Sequence, residues 1–149
     1  MAVCHPVEQK VWDGTRVVLV GNPNVGKSAI FGALTHQRVI VSNYPGTTVE
    51  ITQAALPNGA VLIDTPGTNS LTAQSDDERV TADYLSANHA EIGAVVQIAD
   101  AKNLRRALLL TVQLSQLGLP LVLVLNMMDE AVTNGVHIDT FMPADEPAA

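Results

Sequence analysis

The segment from Gly21 to Ser28 has the residue types and spacing of a phosphate-binding loop. It reads GNPNVGKS and fits the pattern G-x-x-x-x-G-K-[ST]. The two glycines let the backbone wrap so that successive N–H groups point at a phosphate. Lys27 would add a positive charge at the β- and γ-phosphates, and the Ser28 hydroxyl would bind Mg²⁺. The pattern favours a nucleotide site over a glycine-rich turn with a solvated lysine, and the predicted contacts are Asn22, Asn24, Val25, Gly26, Lys27, Ser28 and Ala29.

The sequence DTPG at Asp64–Gly67 is a second candidate for phosphate and metal contact. At the end of a strand, the Asp64 carboxylate would hold the Mg²⁺ shell through water. The Gly67 N–H would reach a γ-phosphate because no Cβ intervenes. Alone, this tetrapeptide is a common turn; after a phosphate-binding loop, it predicts a segment that senses the γ-phosphate.

The loop Asn43–Thr48, which reads NYPGTT, lies between these two segments and is rich in turn formers and hydroxyl groups. This composition suits a segment that becomes ordered by Mg²⁺ and a γ-phosphate. Thr48 is the better candidate for a metal ligand. The alternative is an ordinary threonine at the start of a strand.

The tetrapeptide NMMD at Asn126–Asp129 is a candidate for recognition of a base. Guanine donates two hydrogen bonds, from a ring N–H and an exocyclic amine, and one carboxylate can accept both, so Asp129 would select guanine over adenine. Asn126 would brace the loop. The usual guanine motif has lysine second; Met127 stands there, so its stem could cover the base but the charge is gone. The alternative is that Asn126 and Asp129 merely cap a strand end.

The composition limits the size of the fold and the kind of partner. The chain has 149 residues, of which 47% are hydrophobic and 15% charged, as expected for one soluble domain. Eight Lys and Arg against fifteen Asp and Glu give a formal net charge of -7. We therefore expect no nucleic-acid binding, which needs clustered cations. No Lys or Arg follows Arg106, so any phosphate site must precede it.

Cysteine usage and hydropathy predict a cytosolic chain that does not itself span a bilayer. The single cysteine, Cys4, cannot form an intramolecular disulfide. The longest apolar run, Leu119–Leu125, is far shorter than the roughly 18 residues of a membrane-spanning helix. The N-terminus lacks the continuous apolar segment of a signal peptide. We interpret Cys4 and His5 as part of a tail rather than half of a metal site.

Short β-rich runs alternate with segments of helical period, which predicts an α/β fold with a mostly parallel sheet and helices on both faces. The predicted strands are 16–20, 49–56, 60–64, 93–100 and 120–129, with a hairpin at Pro57-Asn58-Gly59 that adds an antiparallel edge. Helices are predicted after the phosphate loop, over 76–88 and over 101–117. Helical spacing assigns apolar faces to Ile30, Phe31 and Leu34 in the first helix, and to Leu104, Leu108, Val112 and Ser115 in the last.

Together, GNPNVGKS, NYPGTTVE, DTPG, the segment DAKNLRRALLLTVQLSQLG and the strand VLVLNMMDEA resemble the N-terminal cytosolic G domain of FeoB, the bacterial ferrous iron transporter family. The resemblance runs from about Val17 to Asp139. It implies a Ras-like P-loop GTPase fold and GTP turnover linked to transport. In that family a helical domain and a membrane domain follow, so those domains are the implied partners and the cytoplasmic side of the inner membrane is the implied location.

The resemblance also implies roles for the matching residues. Phosphate and Mg²⁺ would be bound by Lys27 and Ser28, with Thr48 and Gly67 sensing the γ-phosphate and Asn24 able to coordinate K⁺, as in potassium-activated relatives. The implied catalytic residues are Asn24, Lys27, Thr48 and Gly67. The implied metal ligands are Ser28, Thr48 and Asp64 for Mg²⁺ and Asn24 for K⁺. The implied base contacts are Asn126, Met127 and Asp129.

Two features depart from the family pattern. No serine follows Asp129, so the last guanine-contacting loop is missing, and we expect the final strand and helix of the fold to be absent as well. Thr68 follows DTPG where Ras-type enzymes place a water-orienting Gln, and its hydroxyl is too short for that role, which predicts slow hydrolysis. The predicted organisation is an N-terminal tail over 1–15, a G domain over 16–136 and a C-terminal tail over 137–149.

We therefore expect a soluble, cytoplasmic GTP-binding and GTP-hydrolysing switch for ferrous iron uptake. A ribosome- or RNA-associated GTPase and a non-hydrolysing nucleotide sensor remain as alternatives. Without the final helix, the apolar strands RVVLV and AVLID should be partly uncovered, so we also expect self-association.

Overall fold

The structure of the chain, a computed structural model, describes residues 14–36 and 38–139. The proposed tail residues Cys4 and His5 and the segment 140–149 lie outside the described part. The elements in chain order are β1 (Arg16–Gly21), α1 (Lys27–Leu34), β2 (Val39–Asn43), β3 (Glu50–Ala55), β4 (Val61–Asp64), α2 (Asp76–Ala87), β5 (Ile92–Asp100), α3 (Leu104–Ser115), β6 (Leu121–Asn126) and α4 (Met128–Thr133).

The six strands form one sheet in the order β2-β3-β4-β1-β5-β6. Strands β4, β1, β5 and β6 are parallel neighbours, and β3 and β2 continue the sheet in antiparallel register. The predicted α/β class and the hairpin at 57–59 are confirmed, with Leu56 N donating to Ala60 O across the turn at 2.8 Å. Strand β2 was not predicted, although its first three residues, Val39, Ile40 and Val41, are β-branched; it is a short edge strand with alternating exposed residues.

The central strands β1 and β4 are covered on both faces. Their side chains are 2% exposed or less at Val18, Leu19, Val20, Val61, Leu62 and Ile63. Phe31 of α1 packs on one face, and α2 and α3 cover the other through Leu85 and Leu110. The expectation that RVVLV and AVLID are partly uncovered is therefore wrong for these six residues, because three helices cover them; Val17 and Ala60 are half-buried. Self-association stays a prediction, and the packing of β1 and β4 does not support it.

The apolar face predicted for α3 is also wrong. Its buried residues are Ala107, Leu110 and Leu114, whereas Leu108 is 44% and Val112 55% exposed. The helix has apolar residues on two sides, so their period does not decide which side faces the sheet. On the side that faces the sheet, the buried Gln97 of β5 donates from Nε2 to Ala107 O at 3.0 Å.

A smaller correction concerns α1, where Phe31 is buried as expected but Leu34 is 48% exposed. Within residues 14–36 and 38–139, no helix has both the length and the apolar character that a membrane crossing requires.

Candidate functional site

The predicted phosphate-binding loop connects the end of β1 to the start of α1, and its backbone requires glycine at two positions. A Cβ on Gly21 would lie 2.5 Å from Ile98 O of the neighbouring strand. Gly26 has a φ of 86°, and a Cβ there would lie 2.4 Å from Asn126 Nδ2. Asn24 also has a positive φ, 63°. The loop thus has the left-handed turns that let successive N–H groups converge on an anion.

This loop encloses a cavity of about 370 Å³. The cavity volume lies within the range of small-molecule sites. Its lining brings together the two segments that the sequence assigns to phosphate: Asn22, Pro23, Asn24, Gly26, Lys27, Ser28 and Ala29 from the first, Gly67 from the second, and Asp77 from α2. Asp77 was missed by sequence reasoning, which assigned it to the acidic first turn of a helix.

Lys27 lies at the floor of this cavity and is only 9% exposed. Its ammonium forms an ion pair with the Asp64 carboxylate and donates to Thr65 O. Thr65 is fixed in turn, since its Oγ1 donates to Leu19 O at 2.8 Å. The end of β4 therefore holds Lys27, the one cation between Gly21 and Ser28. Asp64 of the second motif thus lies close to Lys27 of the first.

Gly67 packs directly against the phosphate-binding loop. A Cβ at this position would lie 3.0 Å from Pro23 Cα, so glycine permits the close approach. The next residue, Thr68, is 1% exposed, and its Oγ1 donates to Ser70 O at 2.9 Å. The Thr68 hydroxyl is therefore used within its own turn and is not among the groups that line the cavity.

Thr48 does not line this cavity. It lies in a neighbouring hollow of about 510 Å³ with Gly46, Thr47, Asp76 and Arg79. The hydroxyl of Thr47 donates to Tyr44 O at 2.9 Å and closes the turn before β3. The structure thus separates the predicted metal ligand Thr48 from Ser28, with the first turn of α2 bordering both hollows.

The predicted base segment begins at the end of β6 and touches the phosphate-binding loop. Asn126 Nδ2 donates to Val25 O at 2.9 Å, which is the bracing contact expected from the sequence. Met127 has a φ of 59°, and its Cε would lie 3.9 Å from a Cβ on Gly26. Asp129 is exposed in the first turn of α4. Asn126 and Met127 therefore lie next to Gly26, which lines the cavity.

A lysine to which the sequence motifs assign no role reaches the same segment. Lys102 follows β5, forms an ion pair with Glu130, and lies 3.7 Å from Asp100 Oδ2 and 3.8 Å from Met127 Sδ. The hydrogen bond to Glu130 is the main reason why the pKa of Lys102 is raised. Its position directly after a parallel strand was the available signal, because the carboxyl ends of such strands meet at one edge.

Hydrogen bonds connect the segment after Gly67 to α3. Asn69 Oδ1 accepts from Asn22 Nδ2 and from Arg106, each at 3.1 Å. Gln113 Oε1 accepts from Leu71 N at 2.8 Å. Helix α3 therefore holds the segment that follows Gly67. Among the described residues, no group of three or more His, Cys, Asp or Glu side chains is arranged to hold a metal ion.

Comparison with known families gives a match over almost all of the described chain. The model described as "Ferrous iron transport protein B", FeoB_N, matches residues 15–142. An Fe(2+) transporter FeoB from Staphylococcus aureus (strain COL) is 43% identical over 122 residues, which are 81% of this chain and 18% of that protein. One from Legionella pneumophila (strain Lens) is 43% identical over 133 residues, 85% of this chain and 17% of that protein. The chain thus spans less than a fifth of these relatives.

Solved structures of the same family have the same fold. An S. thermophilus NFeoB mutant bound to mGDP superposes with a TM-score of 0.77 at 34% identity, covering 83% of this chain and 48% of that one. The cytosolic domain of L. pneumophila FeoB superposes with a TM-score of 0.76 at 41% identity, covering 85% of this chain and 56% of that one. The fold is that of a P-loop GTPase, and the chain belongs to the FeoB_N family of ferrous iron transport protein B.

Proposed function

We propose that this chain is the GTP-binding and GTP-hydrolysing switch domain of a ferrous iron transporter. One observation carries the proposal: a single cavity is lined by the phosphate-binding loop and Gly67, and the base segment is joined to that loop by the hydrogen bond from Asn126 to Val25. A similar S. thermophilus structure is of a mutant bound to GDP. Guanosine nucleotides are therefore the ligand class that the geometry fits best.

Bound phosphates would replace Asp64 as the ionic partner of the Lys27 ammonium. This side chain is held by the Asp64 carboxylate and Thr65 O at the floor of the cavity. A polyphosphate offers more negative charge than one carboxylate, so the ammonium would turn toward it and release Asp64. The helix that starts at Lys27 adds N–H donors directed at the same anion. Phosphate binding and release of Asp64 are thus one event in this proposal.

The residues present fit Mg²⁺ and K⁺. Ser28 and Asn24 line the cavity and Asp64 pairs with Lys27, which also lines it, so the side chains offer oxygen donors, which hard cations prefer. When bound, the cations supply positive charge to the phosphate groups. Thr48 would join Ser28 only after movement of the loop before β3, since the two residues line different hollows. That loop is therefore the proposed switch.

Base selection is proposed to rest on Asp129, with Met127 covering the base. Asp129 is exposed beside the loop and can accept both hydrogen bonds that guanine donates. The domain limits predicted from the sequence remain part of this proposal, as do a helical and a membrane domain as partners and the cytoplasmic side of the membrane as location.

A nucleotide sensor without hydrolysis is the second candidate, and the geometry of Thr68 favours it. Thr68 is 1% exposed and does not line the cavity, so its hydroxyl is not placed to orient a water molecule there. Hydrolysis would then depend on backbone donors and bound cations, and it would be slow. Family membership and the net charge of -7 disfavour an RNA-associated GTPase.

Phosphate release from GTP tests enzyme against sensor and tests the K⁺ assignment. With Mg²⁺ present, we expect hydrolysis to rise about tenfold or more when KCl replaces NaCl, because K⁺ at Asn24 would neutralise charge that develops between the phosphates. Asn24→Ala should lose the K⁺ effect while keeping GDP binding. Asn24→Gly should do the same, and it removes the amide without strain at the φ of 63°.

Asn134→Ala is the matched control, since Asn134 is exposed after α4 and does not line the cavity. It should retain the full difference between the two salts. Asn24 variants that keep the K⁺ effect would refute this cation site. A wild-type chain that binds GTP and releases no phosphate would establish the sensor.

A further inference from the structure

Lys102 lies beside the base segment Asn126–Asp129 and is held by three acceptors, one in β5, one in α4 and one at Met127 between β6 and α4. Its ammonium pairs with Glu130 in the first turn of α4, and Asp100 Oδ2 lies 3.7 Å away. The third neighbour is Met127 Sδ, at 3.8 Å. The backbone is fixed too, because Lys102 N donates to Asp100 Oδ1 at 2.9 Å. With 22% of its side chain exposed, Lys102 is held in place by these contacts.

Met127 occupies the place where the usual guanine motif has a lysine, so this loop lacks the expected charge. The structure places a cation from another strand end beside the Met127 sulfur. Met127 itself turns toward Gly26, since its Cε would lie 3.9 Å from a Cβ there. The chain of contacts from Lys102 through Met127 therefore ends at the phosphate-binding loop.

We propose that Lys102 is a positioning residue for base selection, which supplies from the end of β5 the positive charge that Met127 cannot. Its ammonium holds Glu130, and Glu130 is the direct neighbour of Asp129 in α4. The Lys102 ammonium also offsets the negative charge of Asp100, Asp129 and Glu130 next to an anionic ligand. This inference rests on the proposed binding of guanine nucleotides.

The test compares GDP with IDP, whose hypoxanthine lacks the exocyclic amine. Both ligands have the same phosphates, so their affinity ratio reports only the hydrogen bond from the amine to Asp129. Lys102→Met keeps most of the apolar stem and removes the charge. We expect it to weaken GDP about tenfold and to lower the preference for GDP over IDP about threefold or more, because a misplaced Asp129 loses the amine bond. Lys102→Arg should restore most of both quantities.

Arg105→Met is the matched control, since Arg105 is an exposed cation on α3. It should change neither GDP affinity nor the preference over IDP. If Lys102→Met does not fold, Glu130→Gln removes the ion pair from the other side and should lower the same ratio. An unchanged ratio in Lys102→Met or, in its place, Glu130→Gln overturns the role of Lys102 while wild-type GDP binding stands. A wild-type chain that binds neither GDP nor IDP overturns this inference together with the proposed function.

Discussion

Asp129→Asn is expected to change the base preference of the chain from guanine to xanthine. The Asp129 carboxylate accepts from the ring N–H and the exocyclic amine of guanine, whereas an Asn amide would place a donor against that amine. Xanthine carries a carbonyl at this position and would accept from the new amide. An opposed donor pair costs about 3 kcal/mol, so GDP affinity should fall about a hundredfold or more.

Calorimetric titration with GDP and with XDP measures this change. Asp83→Asn, on the exposed side of α2, is the matched control and should leave both affinities unaltered. The Asp129→Asn chain should bind XDP more tightly than GDP. If Asp129→Asn keeps the wild-type preference for GDP, Asp129 does not read the base.

Lys27→Met is expected to abolish nucleotide binding and to lower stability at the same time. Loss of the Lys27 ammonium removes a charge-assisted contact to the phosphates, with a fall in GTP affinity of about a hundredfold or more. The variant also leaves the Asp64 carboxylate, which is 15% exposed, without its partner. An unpaired carboxylate in this position should lower the free energy of unfolding by about 2 kcal/mol.

A double variant separates the two effects. Lys27→Met combined with Asp64→Asn removes the unpaired charge, so the midpoint of urea unfolding should return most of the way to the wild-type value. GTP binding should stay lost, because the phosphates still lack the ammonium. Recovery of GTP binding in the double variant would show that Lys27 acts only through the stability of the loop.

The sequence predicts the motifs of this site because each one depends on local chemistry. Gly26 needs its positive φ, and Asn126 can brace a loop only from a strand end nearby; both requirements appear as short patterns. Thr48 is different, since its place relative to Ser28 depends on how the loop before β3 packs. A residue pattern identifies that loop, but it does not determine which hollow the loop borders.

The features that sequence reasoning missed depend on tertiary contacts. Helix α3 has apolar residues on two sides, and Ala107 rather than Leu108 faces the sheet, where the buried amide of Gln97 donates to Ala107 O. No role follows from the motifs for Asp77 or Lys102: Asp77 lines the cavity because of where α2 begins, and Lys102 reaches Met127 because of where β5 ends. Such residues can be found only once the topology of the sheet is known.

Displacement of a fluorescent guanine nucleotide from the wild-type chain tests the central claim, that the cavity beside Asn126 and Asp129 binds guanine nucleotides. With Mg²⁺ present, GTP and GDP should displace the probe at concentrations about thirtyfold or more below that of ATP. The reason is that adenine leaves the Asp129 carboxylate without its two donors, which lowers the binding free energy by about 2 kcal/mol. Equal displacement by ATP, or no binding of the guanine probe at all, would contradict the account.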